Sequence, residues 1–350
     1  MNIFEIISEI EKVDPEVYDR LDSRRSIFKH MSGLGQKLTA AAVPLAFGAI
    51  LNKAYAQTAT APSVIDVLNF ALRLEYLEST FYNLGLGTIG ATATAAQTTF
   101  RSGFSTTNLS SLDIIRLDES NHVTALISTI TALGGTPITA PNRTPNALGV
   151  TGDFDFTGGK GSGAGPFAGI FTTPATFLAV AQALEDTGVR AYKGGAPYLM
   201  SNKDVLTAAL NIHSVEARHA SRLRSMRRAG ATNNTASRVA ITGTAESDRS
   251  ASPKSWISGS DNGGPVPMYT AGVYGAGSAP SYTPTTLSAP VFPAESNVIQ
   301  GGVTLSATSL TNTASFPALS YSEAFDEPLD VPTVLSIAKT FAVATSTFFG

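Results

Sequence analysis

The chain has 350 residues, of which 43% are hydrophobic and 15% charged, and its formal net charge is −3. This length allows one large core or two smaller ones, and the slightly acidic balance gives no basis for binding nucleic acid or an anionic membrane surface. Cysteine is absent, which excludes disulfides, thiolate metal sites and a cysteine nucleophile. Any metal must be held by carboxylates and by the four histidines, His30, His122, His213 and His219.

Residues 1–56 have the features of an N-terminal extension followed by an export signal. The sequence SRRSIFK at 23–29 precedes an uncharged apolar run at 38–51, and the small-residue motif AYA at 54–56 precedes Gln57. A basic start, a short apolar run and an A-x-A motif are typical of a secretory signal peptide, and the run is shorter than the ~20 residues of a membrane span. We predict a twin-arginine-type signal cleaved after Ala56, and a periplasmic, extracellular or surface location. The alternative is a basic turn before a buried helix.

Four segments after the signal have helical periodicity and are bounded by Gly, Pro and capping residues. The predicted helices are 63–84, 109–133, 174–192 and 206–227. Residues 134–173, rich in Gly, Pro, Thr and Asn, separate the second helix from the third. Forty residues without helical period are unusual for a simple loop, but they suit a crossover along the length of a bundle. We therefore predict a mainly α fold, a four-helix bundle with a long crossover between helices two and three, formed by residues 57–229.

The last third of the chain differs in composition from the bundle. Residues 230–319 are dominated by Thr, Ser, Gly, Pro and Ala, which predicts an irregular, β-poor extension. The apolar alternation at 297–305 fits either short strands or an extended loop. Residues 320–350 form a separate C-terminal segment, in which 331–349 is predicted as a helix that packs on the bundle.

The four helices share one pattern of acids and histidines. The candidate residues are Glu75 on the first helix, Glu119 and His122 on the second, Glu185 on the third, and Glu216 and His219 on the fourth. Residues at i and i+3 project from one side of a helix, and the order Glu, ExxH, Glu, ExxH is the ligand set of di-iron and di-manganese carboxylate bundles. Four glutamates offset the charge of two divalent ions, and one imidazole positions each ion. We predict a site for two Fe or two Mn ions, with Glu119 and Glu216 as catalytic residues.

An alternative explanation for the four glutamates is a set of buried ion pairs with arginines. The candidate partners are Arg73, Arg116, Arg190 and Arg218. Ion pairs do not explain why two of the three histidines that follow the signal both come three residues after a glutamate. The metal site is therefore the favoured interpretation.

Several neighbouring residues have open roles at this stage. Asp118, Asp186 and Arg218 are candidates to support the ligands, because a ligating histidine usually donates its other N–H to a carboxylate or carbonyl. His213 is predicted to be a structural or supporting residue, and Glu78 to be exposed or salt-bridged, with an extra ligand as the alternative. Tyr82 and Tyr192 each follow a candidate glutamate by seven residues. Core packing is favoured for both tyrosines, and a redox-active or hydrogen-bonding neighbour of the metals is the alternative.

Four stretches of the chain carry a family resemblance. The segments DVLNFALRLEYLESTFY, GVRAYKGGAPYL, NIHSVEARHASRLR and AFDEPL resemble exported ferritin-like proteins grouped with the plant desiccation-related proteins. The resemblance covers residues 62–227 and 324–329. It implies a ferritin-like four-helix bundle whose ligands are the six residues named above, and it says more about fold and metal than about substrate.

Three functions fit this pattern. The favoured one is an exported di-metal oxidoreductase that oxidises Fe(II) or reduces O₂ or peroxide in stress defence. The alternatives are a manganese catalase-like enzyme and a non-catalytic desiccation or surface protein with a structural metal. We expect no nucleic-acid partner, no transmembrane span in the mature chain, and a monomer or small oligomer. A 24-subunit cage is disfavoured, because the crossover and the C-terminal third would hinder ferritin-type packing.

Overall fold

The computed structural model describes residues 62–146, 149–278, 292–305 and 316–350. The predicted signal at 1–56 lies outside the described residues and stays a prediction. Within the described ranges, no helix is both long enough and apolar enough to cross a membrane.

The predicted mainly α class is confirmed, and four long helices form the bundle. The helices of this part are α1 (Val64–Leu86), α2 (Ala95–Arg101), α3 (Thr106–Ala132), α4 (Pro174–Gly195) and α5 (Lys203–Ala229). The short α2 lies in the connection between α1 and α3, and the long crossover joins α3 to α4. A 3-10 turn, Ala196–Leu199, links α4 to α5.

Polar caps set the beginnings of α1, α3 and α5. Ser63 caps α1 in a reciprocal capping box with Asp66, whose carboxylate accepts from the Ser63 N–H at 2.9 Å. α3 begins three residues before its predicted start, because the Ser105 hydroxyl accepts from the Asn108 N–H. Asn202 likewise caps α5, whose start was predicted at 206. These caps satisfy N–H groups that have no partner within the helix.

The bundle core is apolar and rich in aromatic rings. α1 packs mainly on α3, and α4 mainly on α5. Phe81 of α1 stacks on Phe177 of α4, with ring centroids 4.5 Å apart, and Leu72 and Leu223 are fully buried. Burial of this apolar surface is the main force that holds the helices together.

The crossover is anchored by its own buried residues. Phe154 and Phe156 enter the core, and between them the Asp155 carboxylate accepts hydrogen bonds from the N–H groups of Thr157, Gly161 and Gly163. These bonds lower the pKa of Asp155 against the effect of its burial. A charged acceptor in the middle of the loop thus organises a segment that has few regular backbone hydrogen bonds.

The C-terminal third is irregular and packs on the bundle. It contains α6 (Pro267–Tyr274), an antiparallel pair of two-residue strands, β1 (Ile299–Gln300) and β2 (Val303–Thr304), and α7 (Val331–Ala338). Short 3-10 segments are Ala236–Arg238, Glu246–Ser250, Asp261–Gly263, Ala318–Tyr321 and Lys339–Phe341. The strand pair settles the choice left open for residues 297–305.

The predicted helix at 331–349 is correct at its beginning and wrong at its end. Helical structure stops at Phe341, because the following backbone bonds to the crossover instead: the Val343 N–H donates to the Asp153 carbonyl and the Ala344 N–H to the Lys160 carbonyl. Phe348 is buried beyond this point. The segment therefore packs on the bundle as an extended strap rather than as a helix.

Two buried arginines fasten the C-terminal third to the bundle. Arg190 of α4 pairs with Glu295 at 2.9 Å and donates to backbone carbonyls of the C-terminal third. Arg224 of α5 lies between Asp186 and Asp261. Each guanidinium is almost completely buried, so its hydrogen bonds hold the two parts in a defined arrangement.

Candidate metal centre

The structure brings the six predicted ligands together in the interior of the bundle. All are buried: Glu75, Glu119, Glu185 and Glu216 are completely inaccessible, and His122 and His219 are nearly so. Each lies well inside its helix, where the backbone is rigid. The i, i+3 spacing in α3 and α5 directs one carboxylate and one imidazole from each of these helices to a common point.

The six residues form two overlapping groups of four, in each of which the potential ligand atoms lie within 4.8 Å of one another. One group contains Glu75, Glu119, His122 and Glu216, and the other contains Glu119, Glu185, Glu216 and His219. Glu119 and Glu216 belong to both. Carboxylates shared between two groups of ligands occupy the position of bridges between two ions, and the remaining residues provide one glutamate and one histidine for each ion.

Nδ1 of each histidine faces the carboxylates. Nδ1 of His122 lies 3.2 Å from Glu75 Oε2 and 3.3 Å from Glu216 Oε1. Nδ1 of His219 lies 2.9 Å from Glu119 Oε1 and 3.1 Å from Glu185 Oε2. The planes of the two rings are inclined by 28°, and their centroids are 6.3 Å apart. The centre is thus a compact cluster of carboxylate oxygens between two imidazoles.

The buried negative charge shifts the pKa values of the cluster. Burial and the neighbouring carboxylates raise the pKa of Glu119 to about 7, and they raise that of Glu216 well above its usual value. Burial alone would lower the pKa of His122 and His219, but the carboxylates outweigh it and raise both. For Glu75, the hydrogen bond and charge of His122 outweigh burial and lower the pKa. Protons therefore supply the positive charge that the cluster requires.

Unsatisfied oxygens indicate that the cluster fits cations better than protons. Glu216 Oε2 is buried and accepts no hydrogen bond from the described residues. Glu75 Oε2 and Glu216 Oε1 are also buried, and the donor near both of them is the same atom, Nδ1 of His122, at 3.2 and 3.3 Å. A buried polar atom left without a partner costs about 1–3 kcal/mol. Nδ1 of His122 has three carboxylates around it, but it carries at most one proton. Oxygen and imidazole donors suit Fe, Mn and similar ions, so the donor set fits a pair of divalent ions.

A glycine keeps space for one of the shared carboxylates. A Cβ atom at Gly188 of α4 would lie 2.6 Å from Glu216 Oε2, which is shorter than a van der Waals contact. Any larger residue at position 188 would displace the Glu216 carboxylate. Glycine in the middle of a helix lowers helix stability. The packing against Glu216 explains why a glycine stands at this position.

Of the three residues predicted as candidates to support the ligands, Asp118 contacts one of the histidines. Its Oδ2 lies 3.1 Å from Nε2 of His219. An acceptor on Nε2 keeps the proton there and leaves Nδ1 with a free electron pair toward the centre. The other two candidates do not contact the ligands: Asp186 accepts from Tyr274 and Arg224, and Arg218 is exposed.

The two tyrosines are hydrogen-bonded to the cluster across the bundle. The Tyr82 hydroxyl of α1 donates to Glu185 Oε1 of α4 at 2.5 Å, and the Tyr192 hydroxyl of α4 donates to Glu75 of α1. A long helical side chain leans toward the N-terminus of its helix, so each ring reaches back two turns to the level of the glutamates. The prediction of simple core packing was incomplete, since each tyrosine fixes one glutamate of the opposite helix.

The arginine alternative for the glutamates is wrong. Arg73 donates to the Phe348 carbonyl, Arg116 pairs with Asp113, and Arg190 pairs with Glu295. Across the part of the chain that the structure covers, no arginine pairs with any of the four glutamates.

Two further predictions concern residues near the cluster. His213 lies outside both groups of ligands; its Nε2 is buried without a hydrogen-bond partner among the described residues, and burial lowers its pKa. This placement agrees with a structural role. Glu78 is buried, with 3% of its surface exposed, so the prediction of an exposed or salt-bridged residue is wrong.

Comparison with known proteins supports the same fold. Residues 63–229 match the model of a protein family described as a ferritin-like domain, and this range includes all six candidate ligands. A comparison with curated proteins finds no match for the chain. Together with the observed helices, the match supports a ferritin-like fold for the bundle.

Proposed function

We propose that the protein binds two Fe or two Mn ions through the six residues and uses them to oxidise Fe(II) or to reduce O₂ or peroxide in stress defence. The observation that carries the proposal is the sharing of Glu119 and Glu216 between the two groups of buried ligand atoms. When bound, a pair of redox-active ions supplies two electrons, one from each ion, for the reduction of an oxygen species.

Each residue has a distinct part in this proposal. Glu119 and Glu216 belong to both ligand groups, so the two ions would share these carboxylates, whose charge would offset the mutual repulsion of the ions. Glu75 and His122 would be the remaining ligands of one ion, and Glu185 and His219 those of the other. Asp118 orients the His219 ring. Tyr82 and Tyr192 donate to the two terminal glutamates and thereby restrict the directions in which those carboxylates turn.

The surroundings also regulate protons and water. Reduction of peroxide to two waters consumes two electrons and two protons, and reduction of O₂ to peroxide consumes the same numbers. In the metal-free chain the pKa values of Glu119 and Glu216 are raised, so binding of metal would release protons from these two carboxylates. Burial of the four glutamates keeps bulk water away, which strengthens the electrostatic interactions within the centre.

Metal content of the full chain tests the proposal. We expect anaerobic loading with Fe(II) or Mn(II) to give two ions per chain, and His219→Gln to reduce the number to one. His213→Gln is the matched control, because His213 belongs to the same helix but lies outside both ligand groups. A wild-type chain that binds neither metal, or a control that loses metal as His219→Gln does, would overturn the assignment.

The reaction of the loaded protein separates the possible functions. Oxidation of the bound ions by O₂ or H₂O₂ supports the oxidoreductase, and O₂ release from H₂O₂ without an added reductant identifies the catalase-like alternative. Two bound ions that react with neither oxidant would instead indicate a structural metal, as in the desiccation or surface protein considered above.

We also propose that residues 1–56 direct export by a twin-arginine route, which carries proteins folded before translocation. The supporting pattern is the sequence SRRSIFK, the apolar run and the AYA motif. Sequencing of the mature N-terminus is expected to begin at Gln57, and the double replacement Arg24→Lys with Arg25→Lys is expected to stop export. An unprocessed chain that stays inside the cell contradicts this proposal.

A further inference from the structure

Glu78 is a fifth glutamate beside the four that belong to the ligand groups, and the six-ligand site does not use it. It comes one turn after Glu75 on α1, and only 3% of its surface is exposed. No side chain or backbone donor among the described residues contacts its carboxyl group. Other buried acids of this chain have partners: Glu295 pairs with Arg190 and Asp261 with Arg224.

The position of Glu78 breaks the internal symmetry of the bundle. Glu75 and Glu185 are equivalent in the two halves, and so are Tyr82 and Tyr192, which follow them by seven residues. Three residues after Glu75 the chain has Glu78, whereas three residues after Glu185 it has Gly188. The acid thus exists in one half only.

A small cavity is lined by Glu78 and Gly188. Its volume is about 10 Å³, close to the space of one water molecule. Leu77 and Leu184 line it from the bundle, and Ile337 and Ala338 of α7 line it from the C-terminal third. Glu78 therefore lines a small, mostly apolar space between the bundle and the C-terminal third of the chain.

Glu78 is electrostatically coupled to the ligands. Burial raises its pKa well above the usual value, and the charges of Glu216, Glu119, Glu185 and Glu75 raise it further. A buried acid without a partner lowers the stability of a fold. Its presence at this place is therefore not explained by folding.

We propose that Glu78 is a supplementary carboxylate of the metal centre, which adds one negative charge when the bound ions become more positive. The inference rests on the proposed function. Two divalent ions are neutralised by the four ligand glutamates, so a neutral Glu78 suits the reduced state. Oxidation of both ions adds two positive charges to the centre, and an ionised Glu78 offsets one of them.

The proton balance follows from this role. In the reduction of hydrogen peroxide, Glu78 gives its proton to an oxygen of the peroxide, and solvent gives the second proton. Bound ions would supply the two electrons that are needed to break the O–O bond, and the two protons complete the two waters that form. The cavity beside Glu78 has space for one water that could carry the proton.

The reduction potential of the iron-loaded full chain tests the proposal. We expect Glu78→Gln to bind two Fe(II) as the wild type does, but to shift the Fe(III)/Fe(II) potential upward. The affinity for Fe(III) relative to Fe(II) should fall by about tenfold or more, the scale of one unit charge at short range in a protein interior. The potential of the wild type should fall more steeply with rising pH than that of Glu78→Gln, since oxidation releases the Glu78 proton only in the wild type.

Glu323→Gln is the control, because it removes a half-buried carboxylate that pairs with Lys254 and lies outside both ligand groups. It is expected to leave the potential unchanged. Equal potentials and equal pH slopes in wild type and Glu78→Gln would overturn the inference alone, whereas a wild type that binds no redox metal would overturn the proposed function as well. If Glu78→Gln and Glu78→Met both fail to fold, Glu78 has a structural role and the inference is wrong.

Discussion

The two halves of the bundle present the same ligands in the same order but surround them differently. The half formed by α1 and α3 supplies Glu75 and the pair on α3, and the half formed by α4 and α5 supplies Glu185 and the pair on α5. Glu78 lies in the first half, where the second has Gly188. Asp118, just before the α3 pair, supports His219, whereas the corresponding residue before the α5 pair is Val215.

Because of these differences, two sites with the same kinds of ligand need not have the same affinity for metal. Across the described chain, His122 has no carboxylate on Nε2 of the kind that Asp118 provides for His219. A carboxylate on the outer nitrogen increases the basicity of an imidazole ligand. We therefore expect the ion at His219 to bind first and the ion at His122 to bind second. The charge of the Glu78 carboxylate is expected to act on both ions.

The largest effect is expected on the number of bound ions, when a ligand shared by both groups is replaced instead of a ligand of one group. Glu119→Ala should abolish binding of both ions, because Glu119 belongs to both groups. Glu185→Ala should leave one ion, held by the other half. Metal analysis after anaerobic loading measures the difference. If Glu119→Ala and Glu185→Ala retain the same number of ions, Glu119 does not bridge the two halves.

A smaller effect is expected for the residue that supports His219. Asp118→Asn should weaken one of the two binding steps by about 10–100-fold and leave the other nearly unchanged. Calorimetric titration with Mn(II) resolves the two steps, and Asp204→Asn, at an exposed acid near the start of α5, is the control. Equal weakening of both steps would show that Asp118 does not act on one half.

Stability of the metal-free protein should fall as pH rises from about 5 to 8. The pKa values of Glu119, Glu216, His122 and His219 are all raised, so in this range the folded chain holds protons that the unfolded chain releases. Stability then decreases with increasing pH. The lowered pKa of Glu75 acts only below this range.

Loading with metal should remove this dependence, because ions replace the protons and metal affinity increases with pH. Thermal melting of both forms across this range measures it. A metal-free protein that melts at a higher temperature at pH 8 than at pH 5 would contradict the protonation of the cluster.

The smallest effect is expected where the halves are alike. Tyr82→Phe and Tyr192→Phe each remove one hydrogen bond to a glutamate, and a hydrogen bond to a charged group contributes about 1.5–3 kcal/mol. We expect similar losses of stability in the two variants, measured by denaturant unfolding of the metal-free protein. A large loss in only one of them would reveal a further difference between the halves.

Local sequence patterns predicted the helices and their shared ligands well. Periodicity and capping residues located all four bundle helices, and the spacing of Glu119 to His122 and of Glu216 to His219 selected residues that the structure brings together. Such features depend on neighbours within one helix, which the sequence displays directly.

Contacts between helices were harder to predict. The pairing of Asp118 with His219, the crossed bonds of Tyr82 and Tyr192, and the burial of Glu78 depend on the register of one helix against another. The end of the last helix was missed for the same reason, because its backbone finds partners in the crossover. Periodicity indicates which face of a helix is buried, but it does not show which residues of the next helix lie opposite.

Anomalous diffraction from crystals of the Mn- or Fe-loaded protein would locate the bound ions. We predict two peaks, one beside Glu75 and His122 and the other beside Glu185 and His219, with the carboxylates of Glu119 and Glu216 between them. A single peak, or two peaks outside these groups, would contradict the assignment of a two-ion centre.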